Sequence, residues 1–150
     1  AVIPIWTTNL LEGKDITIYG EGNQSREFIY IDDLILAYRI IIDKMLSGNE
    51  LAGEVINIGT GTEVKVRDLA EKMTKKIRGP WIEPKNHDFS YPVEDGKNAF
   101  EQGKIVYGES RPGEVKRFIS NSDKMKSFGW ATKVRLEERL EKYINWRKSL

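Results

Sequence analysis

The chain has 150 residues, 24 basic and 23 acidic side chains and a formal charge of +1. That length supports one hydrophobic core burying about 70% of the unfolded surface, and it sets one domain as the expectation. So even a balance provides no field to draw the chain to nucleic acid or an anionic membrane, and any anionic ligand must be held locally. The sequence has no cysteine, which excludes disulfides and thiolate metal sites; a reducing, cytoplasmic setting is the expectation. No run approaches the roughly 18 apolar residues of a membrane span, and the opening Ala1-Val2-Ile3-Pro4-Ile5 lacks the basic start of a signal peptide. An opening in mid-apolar run, without Met, reads as a segment of something longer.

In chain order, Ile3, Trp6, Leu10 and Leu11 recur at helical spacing, Pro4 fits a first turn and Gly13 suits a stop. Ile16-Thr17-Ile18-Tyr19 is β-branched and aromatic between turn residues, and predicts a strand. A second strand is predicted at 28–31. Asp32 or Asp33 then caps a helix carrying Leu34, Ala37, Tyr38, Ile41, Ile42 and Met45, ended by Gly48. A strand at 55–58 leads into Gly59-Thr60-Gly61-Thr62, followed by a helix with Val66, Leu69, Ala70, Met73 and Ile77 on one face. Over 79–110 periodicity dissolves into prolines, glycines and polar residues, an irregular loop that is mobile in part. A strand at 115–119, a short helix at 122–128 closed by Gly129, and a last helix from Leu136 with Leu140, Tyr143, Ile144 and Arg147 on a stripe complete the α/β pattern.

Two constellations could bind an anion. Tyr19-Gly20-Glu21-Gly22 turns tightly and presents Arg26 before the next strand. A guanidinium there can take phosphate oxygens bidentately beside a flat aromatic face; the alternative is a hairpin with Arg26 paired to Glu21 or Glu27. Arg111-Pro112-Gly113-Glu114 sets an arginine on a turn with a carboxylate three residues on, suited to a diphosphate and to vicinal hydroxyls, or else to a surface ion pair. Gly59-Thr60-Gly61 lacks the third glycine of a dinucleotide fingerprint and the Gly-Lys-Ser/Thr of a P-loop, and reads as structural. His87, the single histidine, has too few neighbours for a metal or a nucleophile and reads as a solvated loop residue; no metal site is expected. Lys72, Lys75 and Lys76 read as the solvated side of a helix.

Together these segments resemble the C-terminal half of the extended short-chain dehydrogenase/reductase superfamily of NAD-dependent epimerases and dehydratases. The matching stretches are Val2-Ile3-Pro4, the run from Ile16 through Arg26 and Tyr30 to Asp33, Val55-Ile56-Asn57-Ile58-Gly59-Thr60-Gly61, Arg111-Pro112-Gly113-Glu114, Ser120-Asn121-Ser122-Asp123-Lys124, Phe128-Gly129-Trp130 and the final helix. Asn121 departs from the family's usual aspartate, and 79–106 matches no family pattern.

The resemblance implies an α/β substrate-binding part, 1–150, with the Rossmann half absent. It implies Arg26 and Arg111 on the diphosphate of a nucleotide sugar, Glu114 on the ribose, and Thr17 and Tyr19 along the base, by backbone hydrogen bonding and aromatic packing respectively. UDP-glucose/UDP-galactose 4-epimerase chemistry follows for the intact enzyme, in which NAD oxidises the sugar at C4 and returns hydride to its other face. The same scaffold also carries dehydratases and decarboxylases, and a chain of another class would be a non-catalytic nucleotide-binding or assembly module. The family's catalysis needs a glycine-triplet loop and a Tyr-x-x-x-Lys pair. None of the six tyrosines, Tyr19, Tyr30, Tyr38, Tyr91, Tyr107 and Tyr143, has a lysine four residues on. Catalytic and cofactor-binding residues are therefore expected in the N-terminal Rossmann half, with NAD bound there and this chain inactive alone. The strand at 55–58 would join the cofactor half's sheet, or leave an edge open to homodimerisation.

Overall fold

The computed structural model describes residues 1–48, 51–79 and 104–150. The chain folds as α1 (Val2–Leu11), β1 (Ile16–Tyr19), β2 (Ser25–Arg26), α2 (Ile31–Leu46), β3 (Val64–Lys65), α3 (Val66–Arg78), β4 (Ile105–Gly108), α4 (Asp123–Ser127) and α5 (Leu136–Lys148). Two two-stranded sheets form: β1 pairs in parallel with β4, from Ile16 opposite Ile105 to Tyr19 opposite Gly108, and β2 pairs antiparallel with β3. His87 and most of the predicted irregular loop lie outside the described residues.

The main core gathers the inward faces of four predicted elements. Trp6 and Leu10 of α1, Ile16 and Ile18 of β1, Leu69, Ala70 and Met73 of α3, and Leu140 and Ile144 of α5 are all buried in one cluster. The strand alternation explains β1: Ile16 and Ile18 turn inward, leaving Thr17 and Tyr19 on the other face. A second cluster joins Ala37 of α2 to Met125 and Trp130, with Ile56 and Ile58 packed against it.

Four expectations about strands need correction. No strand forms at 28–31, because those backbone groups serve other partners: the Phe28 carbonyl accepts from Arg139 Nη1, and the Tyr30 carbonyl accepts from Leu34 as α2 begins. Residues 55–58 form no ladder with any described strand, although Ile56 and Ile58 still find an apolar contact. At 115–119 a single bridge, Ser25 to Arg117, replaces the predicted strand. Conversely, Ile105–Gly108 is a strand inside the stretch expected to be irregular; a four-residue segment ending in glycine carries too little periodicity to announce itself.

Asp32 and Asp33 do not cap α2. Tyr30 is the capping residue and makes no side-chain cap bond, while both aspartates lie in the first turn. Asp33 is buried instead: its Oδ1 accepts from the Lys133 amide at 3.0 Å, its Oδ2 lies 3.5 Å from Arg139 Nη2, and its carbonyl accepts from Trp130 Nε1 at 2.8 Å. Burial lowers the Arg139 pKa and the Asp33 charge opposes that shift. This pair, with the Arg139 bond to Phe28, joins α5 to α2 and to the segment before α2, and the Lys133 and Trp130 bonds add the segment before α5. The apolar stripe predicted on α2 is also split, since Ala37 faces inward while Tyr38, Ile42 and Met45 face solvent, as do Ile31 and Ile35 outside that stripe. Nor is the lysine side of α3 simply solvated, because Lys72 and Lys76 reach Glu137 and Glu141 on α5 at 2.7 and 3.1 Å.

Candidate functional site

The predicted residues converge through one turn. The chain reverses between Arg111 and Glu114, the Glu114 amide donating to the Arg111 carbonyl at 3.3 Å. From one end of this turn the Arg111 guanidinium lies over the Tyr19 ring, 3.7 Å from its centroid. From the other, Glu114 Oε1 lies 3.4 Å from Arg26 Nη2. Arg26 Nη1 also donates to the carbonyls of Ser25 at 2.8 Å and Val115 at 2.7 Å. Arg26 therefore pairs with Glu114, neither with Glu21 nor with Glu27. Glu21 accepts instead from Asn23 Nδ2 at 2.9 Å.

These bonds orient Arg26 without saturating it. A guanidinium has five N–H donors. Among the bonds of the described residues three are engaged, leaving Nε–H and one Nη2–H for an anion. Glu114 likewise keeps Oε2, an acceptor suited to a hydroxyl. The ion pair is about a quarter to a third exposed, so both side chains are fixed yet reachable.

Thr17 and Tyr19 lie on the outward face of β1. A Cβ placed on Gly108 would sit 3.4 Å from both Thr17 Cγ2 and Tyr19 Cδ1, so the two side chains share one face above β4. The amides of Ile16 and Gly20 donate to the Lys104 and Gly108 carbonyls, at the two ends of β4, at 2.9 Å. By the alternation of a parallel ladder, the Thr17 N–H and C=O point to the opposite edge. No described strand occupies that edge. The turn between β1 and β2 is closed by Gln24 Nε2 donating to the Tyr19 carbonyl at 2.8 Å. Gly22 is required there: its φ is +72°, and a Cβ would lie 2.9 Å from Arg67 Cβ.

One group that the sequence pattern missed is Glu27. Its carboxylate accepts from the Gly61 amide, from Thr60 Oγ1 at 3.2 Å and from the Ser120 amide at 2.8 Å. Burial acts to raise its pKa, and hydrogen bonds from Ser120, Gly61 and Thr60 overcome that and hold it below the usual glutamate value. The glycine turn at 59–61 therefore has its amide turned to an internal carboxylate. It is also separated from the α3 N-terminus by β3, so the strand, loop and helix do not follow one another directly.

Elsewhere an open groove of about 510 Å³ runs past Phe28, Glu63, Lys72 and Arg139 and includes none of the five predicted residues. No group of three or more His, Cys, Asp or Glu among the described residues could hold a metal ion. The Gly61 amide is engaged by Glu27 and so is not turned toward an external phosphate. No helix among the described residues is long and apolar enough to cross a membrane.

Residues 1–59 match the model of the NAD dependent epimerase/dehydratase family. Over 148 residues the chain is 27% identical to a putative UDP-glucose 4-epimerase of Methanocaldococcus jannaschii, covering 99% of this chain and 39% of that protein. It is 33% identical over 108 residues to a dTDP-glucose 4,6-dehydratase of Streptomyces niveus, covering 68% of this chain and 31% of the other. The crystal structure of a Thermotoga maritima UDP-glucose 4-epimerase with UDP-glucose superposes with a TM-score of 0.72 at 30% identity, over 99% of this chain and 40% of that one. These matches support kinship with that superfamily. The α/β fold is the one its structures share, and the chain spans about a third to two fifths of the length of these relatives.

Proposed function

We propose that this chain binds the nucleotide-diphosphate part of a nucleotide sugar for an NAD-dependent sugar epimerase of the UDP-glucose/UDP-galactose 4-epimerase type. The observation that carries this reading is the single turn at 111–114, which sets Glu114 on Arg26 and Arg111 on Tyr19. In this reading Arg26 offers its remaining N–H groups to the diphosphate and Arg111 provides a second cation. Glu114 accepts from the ribose hydroxyls, and Thr17 and Tyr19 line the base. Holding the nucleotide end firmly leaves the sugar free to turn, the freedom a 4-epimerase requires.

NAD, held by the other half of the intact enzyme, supplies the hydride acceptor. This chain supplies binding and orientation. The apolar side of α2 supports a partner for it: Ile31, Ile35, Tyr38, Ile42 and Met45 are each more than half exposed, and Val55 is 80% exposed nearby in sequence. A helix apolar on both sides needs cover on both, and we assign the outer cover to the cofactor half. A second reading, a dehydratase on the same scaffold, draws support from the 33% identity to the Streptomyces enzyme. Product analysis of the intact enzyme separates the two, a C4 epimer from a 4-keto-6-deoxy sugar.

Calorimetric titration of the chain with UDP, UDP-glucose and NAD tests the reading. UDP and UDP-glucose are expected to bind and NAD is not, with no absorbance growing at the NADH wavelength when NAD and UDP-glucose are supplied together. NAD binding without UDP binding would overturn the assignment. Sugar-nucleotide binding without turnover by the intact protein would favour the non-catalytic module.

A further inference from the structure

The segment that carries Glu114 runs beside β2, and its register is set from both ends. The Ser25 amide donates to the Lys116 carbonyl at 2.9 Å, and Arg26 takes the Val115 carbonyl and the Glu114 carboxylate. Beyond them, Glu27 takes the Ser120 amide with one oxygen, while its other oxygen accepts from Thr60 Oγ1 and the Gly61 amide. Gly59 shows how closely this junction is packed. A Cβ there would come within 2.6 Å of Glu27 Oε2 and 2.7 Å of Ser120 Cβ. On the far side the Gly59 carbonyl accepts from the buried Ser122 hydroxyl at 3.0 Å.

We propose that Glu27 is a positioning residue for the nucleotide grip: its carboxylate ties the 59–61 turn and Ser120 to the end of β2, and so fixes the register that brings Glu114 onto Arg26. The argument rests on the binding role given to Arg26 and Glu114. It follows from donor counting. Three donors from two separate segments converge on one side chain, and a carboxylate, which only accepts, satisfies all three. A glutamine of the same shape has one acceptor oxygen and would turn an NH₂ toward an N–H, releasing one of the two segments. Since Arg26, the last residue of β2, immediately precedes Glu27, that release is transmitted to Glu114 through a strand pairing only a few bonds long.

The test compares Glu27→Gln, Glu27→Asp and Gly59→Ala with the native chain by titration with UDP and with uridine, circular dichroism confirming the fold of each variant. Uridine keeps the ribose that Glu114 would hold but lacks the phosphates that Arg26 would hold, so a displaced grip weakens UDP binding more than uridine binding. Misplacing a binding group by about an ångström is costly, and Glu27→Gln is expected to weaken UDP about tenfold or more and uridine, through the ribose contact alone, by no more than about threefold. Gly59→Ala is expected to reproduce this selectivity, and Glu27→Asp to restore part of the affinity. UDP affinity unchanged in folded Glu27→Gln, or equal losses for UDP and uridine, would overturn the inference while leaving the binding role of Arg26 standing. A native chain that binds no UDP removes the grip itself, and the inference with it. If Glu27→Gln does not fold, the UDP-to-uridine ratio of Gly59→Ala decides by the same criterion.

Discussion

Arg111 contributes to two opposed effects, and its replacement separates them. Its guanidinium covers the Tyr19 ring, where a base would have to stack, yet its charge is what a diphosphate would draw. Arg111→Ala should therefore weaken UDP by about tenfold. It should also strengthen uridine by about two- to fivefold, since an exposed cation–π contact is worth only about 0.5–1 kcal/mol. Paired titrations with the two ligands check this; a loss for both would place Arg111 on the nucleoside as well.

Glu27 makes a prediction in pH. Its folded pKa lies below the unfolded one, so its contribution to stability is complete above the ordinary glutamate value and is lost as pH falls through the lowered value. Thermal melts of the native chain should drop across that acid window, and those of Glu27→Gln should be flatter there. Asp33 and Arg139 follow a different rule. With side chains only 2% and 11% exposed, removal of one partner leaves a buried charge, and Arg139→Ala should cost about 3 kcal/mol in urea denaturation.

Among the elements, α3 is where the core is most sensitive. It packs against α1, β1 and α5 at once, and Leu69, Ala70 and Met73 are fully buried. Leu69→Ala should cost about 3 kcal/mol, because three neighbouring elements cannot all collapse into the space left. The lysines on its outer side should matter far less. Lys72 and Lys76 pair with α5, but their partners Glu137 and Glu141 are more than half exposed, and removing either lysine should cost under about 1 kcal/mol. Chemical denaturation of the two kinds of variant measures the contrast.

Taken as a whole molecule, the fold was legible where one face of an element meets one core. The periodicities of α1, α3 and α5 and the alternation of β1 mark their buried residues directly. It was less legible where a segment is held by side chains, as at 28–31 and 115–119, since hydrogen bonds to Arg139 and Arg26 leave no period in the sequence. The site divides the same way. The residue types of Arg26, Arg111 and Glu114 were visible, but a lone glutamate beside an arginine gave no sign that Glu27 gathers three distant donors. Asp33 escaped for a related reason, an acidic residue at a helix start being read as a cap when it lay on the packing side, one turn before Ala37.

The α2 pattern has a consequence for the intact protein. The helix is apolar on two sides, and in this chain only one of them has a partner among the described residues. Ile35 and Ile42 lie on the outer side, 56% and 54% exposed. Replacing both by glutamate should change the stability of this chain by less than about 0.5 kcal/mol per site, as for other exposed positions, and should reduce its binding of an apolar fluorescent dye. If the outer side of α2 meets a cofactor half, as proposed above, the same two carboxylates would be driven into that contact, where an unpaired charge is strongly disfavoured. The double variant should then be folded as the chain alone and fail to assemble in the full-length protein. Equal tolerance in both would show that another surface meets the cofactor half.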